Sequence, residues 1–418
     1  MAKEIDITTE FLTSSFDLNE AIARRSLKFA IASMNAAKDG YFFGGPSNLN
    51  TFFINNGFQK FLPNEDFLVK PEPTTFGVGI ASKVIYDGAH KYTLIAVGLR
   101  GGGYGLEWCG NFDLGVEGDH HGFENCVNKA YKHISHYIGR FGIKGDVILW
   151  VAGYSRAAAT CNMLGGKINA KLMEGKRPFK GVNLRQNRCF FYTFETPRGV
   201  SLDKAQKVSY KNIFNFINPN DMITYMGPEA MGFGRYGVDI VLPAKFTLIQ
   251  PPVKLLFERK SCPEFIDEFM DKLTSFGGTR EEAISRFEAL QTLIYGVLKA
   301  NEESKNVSLM RYVGLGAAEN ANDWIRFVVS DNTDDLIKAI RDSISDTFSL
   351  SKLNGATVAE TYPQIDMLLD FLKAFVDSDP ELFEILLVNL NGILDTHDYE
   401  KVEKIFEELP AGFFDDKE

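Results

Sequence analysis

The sequence lacks the cysteine pattern of a disulfide framework or a zinc site. Its cysteines are few, odd in number and widely scattered, with no C-x-x-C pair: Cys109, Cys126, Cys161, Cys189 and Cys262. Structural zinc needs clustered Cys and His ligands, and small secreted domains need paired cysteines. The sequence therefore predicts reduced thiols, no metal site and no cofactor.

Long apolar runs and basic stripes are also missing. No stretch offers about 18 consecutive apolar residues, which predicts that no segment spans a membrane. The N-terminal sequence MAKEIDITTEFLTSSFDLNE is acidic and has no signal-peptide core. We therefore expect a cytoplasmic protein, although a secreted protein with a trimmed leader would look the same. The net charge of −10 argues against a nucleic-acid partner.

Strand-like and helix-like segments alternate through the first part of the chain. Residues 19–37 and the segment from His120 have helical spacing of apolar residues, whereas 40–70 are rich in Gly, Asn, Pro and Phe and predict irregular coil. The β-rich segments are a hairpin at 75–99 that turns at 87–90, a strand at 147–152, a strand from 188 to Pro197, and a strand at 212–224 that ends in Asn220-Asp221. This alternation predicts an α/β fold with a mostly parallel sheet and helices on both faces.

The character of the sequence changes near residue 255. From there to about residue 409, most windows have helical periodicity. We predict a core over 1–254 that includes the N-terminal helix, a large late helical insertion over 255–392 that resembles a cap, and a C-terminal segment over 393–418.

The stretch VILWVAGYSRAAATC, residues 147–161, is the most informative one in the chain. A buried strand meets a tight Gly153-Tyr154-Ser155-Arg156-Ala157 turn, and a helix of small residues follows. This is the pattern of a nucleophile elbow, which presents a serine hydroxyl at a helix N-terminus. The alternative is an ordinary strand-to-helix turn in which Ser155 is the N-cap.

A nucleophilic serine needs a histidine as its base and a carboxylate to orient that histidine. Asp221 follows a later strand and is the candidate acid; the alternative is an ordinary turn aspartate. In this fold class the histidine follows the acid. Of the six histidines only His397 does so, and five precede Ser155. The alternative for His397 is a capping or surface histidine.

Backbone donors for an oxyanion are expected at two places. One is the N–H of Arg156, directly after the serine, and the other is the glycine-rich loop LRGGGYG at 99–105, since glycines let N–H groups face a ligand. The alternative for this loop is a flexible hairpin. It does not form a dinucleotide fingerprint, because Leu106 or Trp108 stands where the third glycine would be needed.

An ordered series of motifs between about residues 75 and 245 resembles the class 3 lipase family, which comprises α/β-hydrolases related to fungal triacylglycerol lipases. The matching segments are Leu99-Arg100-Gly101-Gly102, Glu107-Trp108, His120-His121-Gly122-Phe123, Gly153 to Ala157, Thr193 to Gly199, Asn220 to Ile223, and Gly232 to Gly237. In the family these correspond to F-R-G-[ST], D-W, H-x-G-F, G-H-S-x-G, T-F-G-x-P-R-V-G, N-D-x-V and G-F-x-H-x-G. No single segment is specific for this family, but the order of the whole series is.

The resemblance implies an α/β-hydrolase-like fold with roles for particular residues. Ser155 would be the nucleophile, Asp221 the acid, and the N–H groups of Gly102 and Arg156 the oxyanion donors. The segment from Gly103 to about Gly118 would form the lid. The chain departs from the family pattern at Tyr154, Ala157, Gly102 and Arg235, and a long insertion separates Asp221 from His397.

The sequence thus predicts a serine carboxylic-ester hydrolase, similar to lipases and esterases, that works through a Ser155–Asp221–His397 triad and an acyl-enzyme. Its partner would be a small-molecule or lipid ester, with transient contact with a lipid surface. Three alternatives stay open: a thioesterase, amidase or acyltransferase with the same triad, a non-catalytic binding protein with this fold, and a hydrolase whose helical insertion docks a partner.

Overall fold

The computed structural model divides the chain into two compact units. The first comprises Met1–Glu107, Gly118–Ala244 and Tyr399–Glu418, and the second comprises Trp108–Glu117 and Lys245–Asp398. The structure describes residues 8–34, 37–38, 41–42, 47–69, 74–101, 107, 110–111, 113–115, 117–227, 229–243, 397–410 and 412–415. Nearly all of these belong to the first unit. The predicted insertion over 255–392 and half of the predicted lid lie outside the described residues.

The described strands are, in chain order, β1 (Ala37–Lys38), β2 (Tyr41–Phe42), β3 (Gln59–Pro63), β4 (Val78–Asp87), β5 (His90–Leu99), β6 (Gly145–Tyr154), β7 (Val182–Phe194), β8 (Val200–Ser201), β9 (Ile213–Ile217), β10 (Phe233–Gly234) and β11 (Val238–Val241). Seven of them form the central sheet in the order β11-β9-β7-β6-β5-β4-β3. β5, β6, β7, β9 and β11 run parallel, and β4 is antiparallel to β3 and β5. β1 pairs with β2, and β8 pairs with β10.

The described helices are α1 (Glu20–Ser33), α2 (Ser47–Asn55), α3 (His121–Arg140), α4 (Arg156–Met173), α5 (Leu202–Lys207) and α6 (Tyr399–Glu407). α3 and α4 pack together and cover one face of the sheet, whereas α1 packs against β5, β6 and β7. Among these described helices, none combines the length and the apolar composition that a membrane crossing requires.

Alternation along β6 explains why helices cover both faces of the sheet. Val147, Leu149 and Val151 belong to the core shared with α3 and α4. The side chains between them point to the opposite face, where Trp150 Nε1 donates a hydrogen bond of 2.8 Å to Ser26 Oγ on α1. Because both faces of β6 are buried, its sequence is the continuous apolar run at 147–152.

The structure confirms the predicted α/β fold with its mostly parallel sheet. The predicted hairpin is present as β4 and β5, which turn at Gly88 with a φ of 58°. The expectation of irregular coil over 40–70 was wrong, because α2 and the edge strand β3 lie there. Two strands end earlier than predicted: β7 ends at Phe194, before Pro197, and β9 ends at Ile217, before Asn220. β7 also begins earlier than predicted, at Val182.

Candidate active site

Ser155 joins the end of β6 to the start of α4 in an unusual backbone conformation. Its φ is 60° and its ψ is −129°, a region that non-glycine residues rarely adopt and that costs about 1–3 kcal/mol. Its N–H donates to Phe194 O at 2.9 Å, and its carbonyl accepts from the N–H of Ala158 at 2.8 Å. Ser155 is therefore in the N-cap position, but its side chain makes no capping hydrogen bond to α4. A simple N-cap does not explain this serine.

Two glycines allow the close approaches around this turn. A Cβ on Gly153 would lie 2.3 Å from Ala157 O, and a Cβ on Gly101 would lie 2.0 Å from Tyr154 O. The segment after β5 thus touches the turn that carries Ser155. The next residue, Gly102, lies outside the described residues, so its N–H stays a predicted oxyanion donor. Arg156 is the first residue of α4, where backbone N–H groups have no partner within the helix.

The Arg156 side chain is buried and ties the turn to the segment after β5. Its Nη1 donates to Glu107 O at 2.7 Å, and its Nη2 contacts Cys126 Sγ at 3.2 Å. Burial raises the pKa of the Cys126 thiol, and the Arg156 charge opposes this only in part. Cys126 is therefore a neutral thiol that packs against the cation.

The Glu107 carboxylate forms a buried ion pair with Arg100, which directly follows β5. Both side chains are fully buried, and Arg100 Nη2 donates to Glu107 Oε1. Thr75 Oγ1 donates to the same oxygen at 2.5 Å. This pair holds residues 100 and 107 on the two sides of the glycine-rich loop, and Arg156 links them to the elbow.

Asp221 lies in the turn after β9 and is fully buried. Its Oδ1 accepts a hydrogen bond of 2.9 Å from Ile223 N and caps the short 3₁₀ turn at 222–225. β6, β7 and β9 are consecutive parallel strands, so Ser155 and Asp221 follow strands two positions apart. With about 4.8 Å between neighbouring strands, β6 and β9 lie roughly 10 Å apart. Ser155 and Asp221 therefore both follow carboxyl ends of parallel strands, at the same end of the sheet.

Glu195 is a buried acid in this region to which the sequence analysis gave no role. It follows β7, has a φ of 50°, and is fully buried. Its carboxyl group lies next to that of Asp221. Asn218 N donates to both of its oxygens, at 3.1 and 3.2 Å. The signal that could have revealed it is an acid directly after a buried strand, in the place where the family pattern has glycine.

Burial raises the pKa of Glu195 well above its ordinary value, and the negative charge of Asp221 raises it further. The hydrogen bond from Asn218 and the more distant charge of Arg235 oppose this shift but do not outweigh it. Two adjacent buried carboxyl groups cannot both ionise without strong repulsion. This environment therefore favours the protonated form of the Glu195 carboxyl group.

Arg235 braces the loops that carry the two acids. Its Nη1 donates to Thr196 O and to Thr224 O, both at 2.7 Å. Its Nη2 pairs with Asp239 at 2.7 Å. The residue that replaces the family's histidine thus has a structural role, since it joins the turn after β7 to the turn after β9.

His397 belongs to the second unit, two residues before α6 of the first unit. α6 packs on the end of the sheet that carries Ser155: the Phe406 ring lies 5.7 Å from Phe194 and 5.2 Å from Phe216. Phe194 is the last residue of β7, next to Glu195. The role of His397 as the base of the site therefore stays a prediction.

Three of the other histidines make structural contacts. Nδ1 of the buried His120 accepts from Phe123 N at 3.4 Å, and its ring stacks on Phe123. His133 Nε2 contacts Leu62 O at 3.1 Å, and burial lowers the pKa of this imidazole. His90 pairs with Asp146 at 3.0 Å. Each of these rings thus has a local structural role.

Within the described ranges, no group of three or more His, Cys, Asp or Glu side chains is arranged to hold a metal ion. A half-open cavity of about 920 Å³ lies at the other end of the sheet, between Arg25, Lys83 and Trp150. None of the described site residues lines it. The candidate site is therefore defined by the backbone at Ser155 and by the two acids, not by cavity size.

No protein-family model and no curated protein matches the chain. Solved structures that align with it include a fungal lipase in complex with an inhibitor, at 14% identity, over 53% of this chain and 80% of that chain, with a TM-score of 0.35. Triacylglyceride lipase from Rhizomucor miehei aligns at 15% identity over 53% and 78%, with a TM-score of 0.34. A lipase from Rhizopus microsporus var. chinensis aligns at 14% identity over 58% and 77%, with a TM-score of 0.31. At these values the likeness concerns the α/β fold alone.

Proposed function

We propose that this protein is a serine hydrolase that cleaves carboxylic esters of small molecules or lipids. One observation carries the proposal: Ser155 is held in a strained backbone conformation, and its side chain does not cap the helix that follows. Strain of this kind concentrates at functional sites and persists only where the surroundings enforce it. A serine at such a turn is well suited to act as a nucleophile.

In the proposed mechanism, Ser155 Oγ attacks the ester carbonyl carbon while His397 takes the hydroxyl proton. Asp221 orients the imidazole and stabilises its cationic form. The backbone N–H groups of Gly102 and Arg156 bind the oxyanion of the tetrahedral intermediate, where each donor contributes about 2.7–4 kcal/mol. The intermediate collapses with loss of the alcohol, which receives the proton from His397, and leaves an acyl-enzyme.

Water completes the cycle. His397 removes a proton from the water as its oxygen attacks the acyl carbonyl carbon, and then returns the proton to Ser155 Oγ as the acid product leaves. A thiol ester or an acyl acceptor other than water would use the same steps. Thioesterase and acyltransferase activities are therefore alternatives that differ only in what enters the cleft.

His397 is proposed as the base because it is the only histidine that follows Asp221 in the chain, as the order of this triad requires. A non-catalytic binding protein is disfavoured by the strain at Ser155, because glycine would form the same turn at lower cost.

Turnover of a short-chain nitrophenyl ester tests the proposal. Ser155→Ala should abolish turnover and labelling by a fluorophosphonate probe, whereas Ser135→Ala, at an exposed position on α3, should leave both unchanged. Turnover by Ser155→Ala equal to that of the unmodified protein would refute the proposal. Failure of the unmodified protein to react with the probe would favour the non-catalytic alternative.

The base needs its own test. His397→Ala should reduce kcat nearly as much as Ser155→Ala, because the two groups act as one unit. His136→Ala, at an exposed position on α3, is the matched control and should retain full activity. Full activity in His397→Ala would assign the base to another residue.

A further inference from the structure

Glu195 occupies a backbone position that a different residue would fill at lower cost. Its φ of 50° lies in the left-handed region, which glycine adopts without penalty. Its side chain is also fully buried, although a buried carboxyl group loses its hydration. Two independent costs at one position indicate that the carboxyl group itself is needed.

The surroundings of Glu195 indicate what the carboxyl group does. Glu195 N donates to Phe216 O at 2.9 Å, which holds the turn after β7 against β9. The side chain then reaches over the end of β9, where Asn218 N binds both of its oxygens. Beyond that strand end it lies next to the Asp221 carboxyl group.

The Asp221 carboxylate needs hydrogen-bond donors both to hold it in its turn and to set its orientation. Ile223 N binds its Oδ1 at 2.9 Å and fixes that oxygen in the turn. A carboxylate offers about four lone-pair positions, so Asp221 can accept from a further donor that sets the plane of the group. A protonated carboxylic acid supplies such a donor, and an ionised one cannot.

We propose that Glu195 is a positioning residue: it carries a proton, donates it in a hydrogen bond to the Asp221 carboxylate, and thereby fixes the orientation in which Asp221 meets the imidazole of the triad. This inference rests on the proposed function, since it concerns the same acid. The pair bears a single negative charge, and Glu195 acts on the reaction only through Asp221.

Two substitutions separate this role from a structural one. Glu195→Gln keeps the size, the backbone strain and an N–H donor, and should keep kcat close to that of the unmodified enzyme. Glu195→Gly relaxes the backbone but removes the donor, and should lower kcat on the order of 10- to 100-fold, as expected for the loss of a hydrogen bond to a charged group. KM for the nitrophenyl ester should stay unchanged in both, because Glu195 does not touch the substrate.

The outcomes that contradict the inference are distinct. Full kcat in Glu195→Gly would show that the side chain is dispensable. An equal loss in Glu195→Gln and Glu195→Gly would show that a carboxyl group, not a donor, is required. Either result overturns the positioning role.

Infrared spectroscopy gives a readout that does not depend on activity. At neutral pH the unmodified protein should show the carbonyl band of a protonated carboxylic acid, and the difference spectrum against Glu195→Gln should isolate it. Absence of this band would overturn the inference even if the protein is a hydrolase. Conversely, full turnover in Ser155→Ala would overturn the proposed function and leave the infrared result intact.

Discussion

The residues just before β6 and β7 and the residues just after them solve the same backbone problem differently. At the amino ends of these strands, the positions with positive φ are glycines: Gly142, Gly145 and Gly181, with φ of 60°, 81° and 86°. After them, the positions with positive φ are Ser155 and Glu195. The strands are the same, but the two ends of the sheet place different demands on the chain.

The space around each position shows what the difference means. A Cβ on Gly142 or Gly145 would have no heavy atom within 4 Å, so only the backbone conformation favours glycine there. Ser155 and Glu195 are buried and keep side chains despite the strain. Where a turn only reverses the chain, glycine adopts the positive φ without strain. At the candidate site, Ser155 and Glu195 keep their side chains although a positive φ strains the backbone of a non-glycine residue.

Of the substitutions that test this comparison, Ser155→Gly should have the largest effect on activity. It removes the nucleophile and should lower kcat about 10⁶-fold. It also relieves the strained φ, and should raise the free energy of unfolding by about 1–3 kcal/mol. Ester kinetics and urea unfolding measure both effects. Ser155→Ala is the control, because it removes the hydroxyl but keeps the strain. Equal stability of the two variants would contradict the account of strain.

The ion pairs at the two ends of the sheet should also differ in how much they contribute to the free energy of unfolding. Glu107→Gln leaves Arg100 buried without its counter-charge and should lower the free energy of unfolding by about 3–5 kcal/mol. Asp146→Asn breaks the pair with His90 at the amino end, where the side chains are 26% and 53% exposed, and should cost at most about 1 kcal/mol. Urea unfolding of both variants makes the comparison, and similar losses would contradict it.

Glu195 should make stability depend on pH. Its pKa is raised by burial and by Asp221, with Arg235 opposing, so the folded protein keeps a proton that the unfolded chain releases above the ordinary value of 4.5. The unfolded state then binds fewer protons, and the free energy of unfolding falls by up to about 1.4 kcal/mol per pH unit as pH rises, until Glu195 ionises in the folded state. Urea unfolding between pH 5 and pH 7 should show this slope. Parallel slopes for the unmodified protein and Glu195→Gln would exclude a retained proton.

The smallest effect is expected at the amino end. Gly145→Ala adds a methyl group to open space at a φ of 81° and should lower the free energy of unfolding by about 1 kcal/mol. Ester turnover should not change, because Gly145 begins β6 at the end opposite Ser155. A large loss of turnover in this variant would show that the two ends are not independent.

Features that depend on neighbouring residues in the chain were predicted from the sequence. The β4–β5 hairpin and the turn at Ser155 follow from local patterns of apolar residues and glycines. α2 and β3 were missed because their stability comes from distant contacts. Phe53 of α2 lies 5.4 Å from Phe29 of α1, and β3 exists by pairing with β4. Composition alone does not reveal such partners.

The sequence by itself determined the alternation of strands and helices and the serine at the bend, because both are set by the spacing of side chains along the chain. The tertiary structure alone decided that Glu195 would meet Asp221. Parallel strands bring their carboxyl ends together whatever their separation in sequence, and burial between them raises the pKa of an ordinary acid.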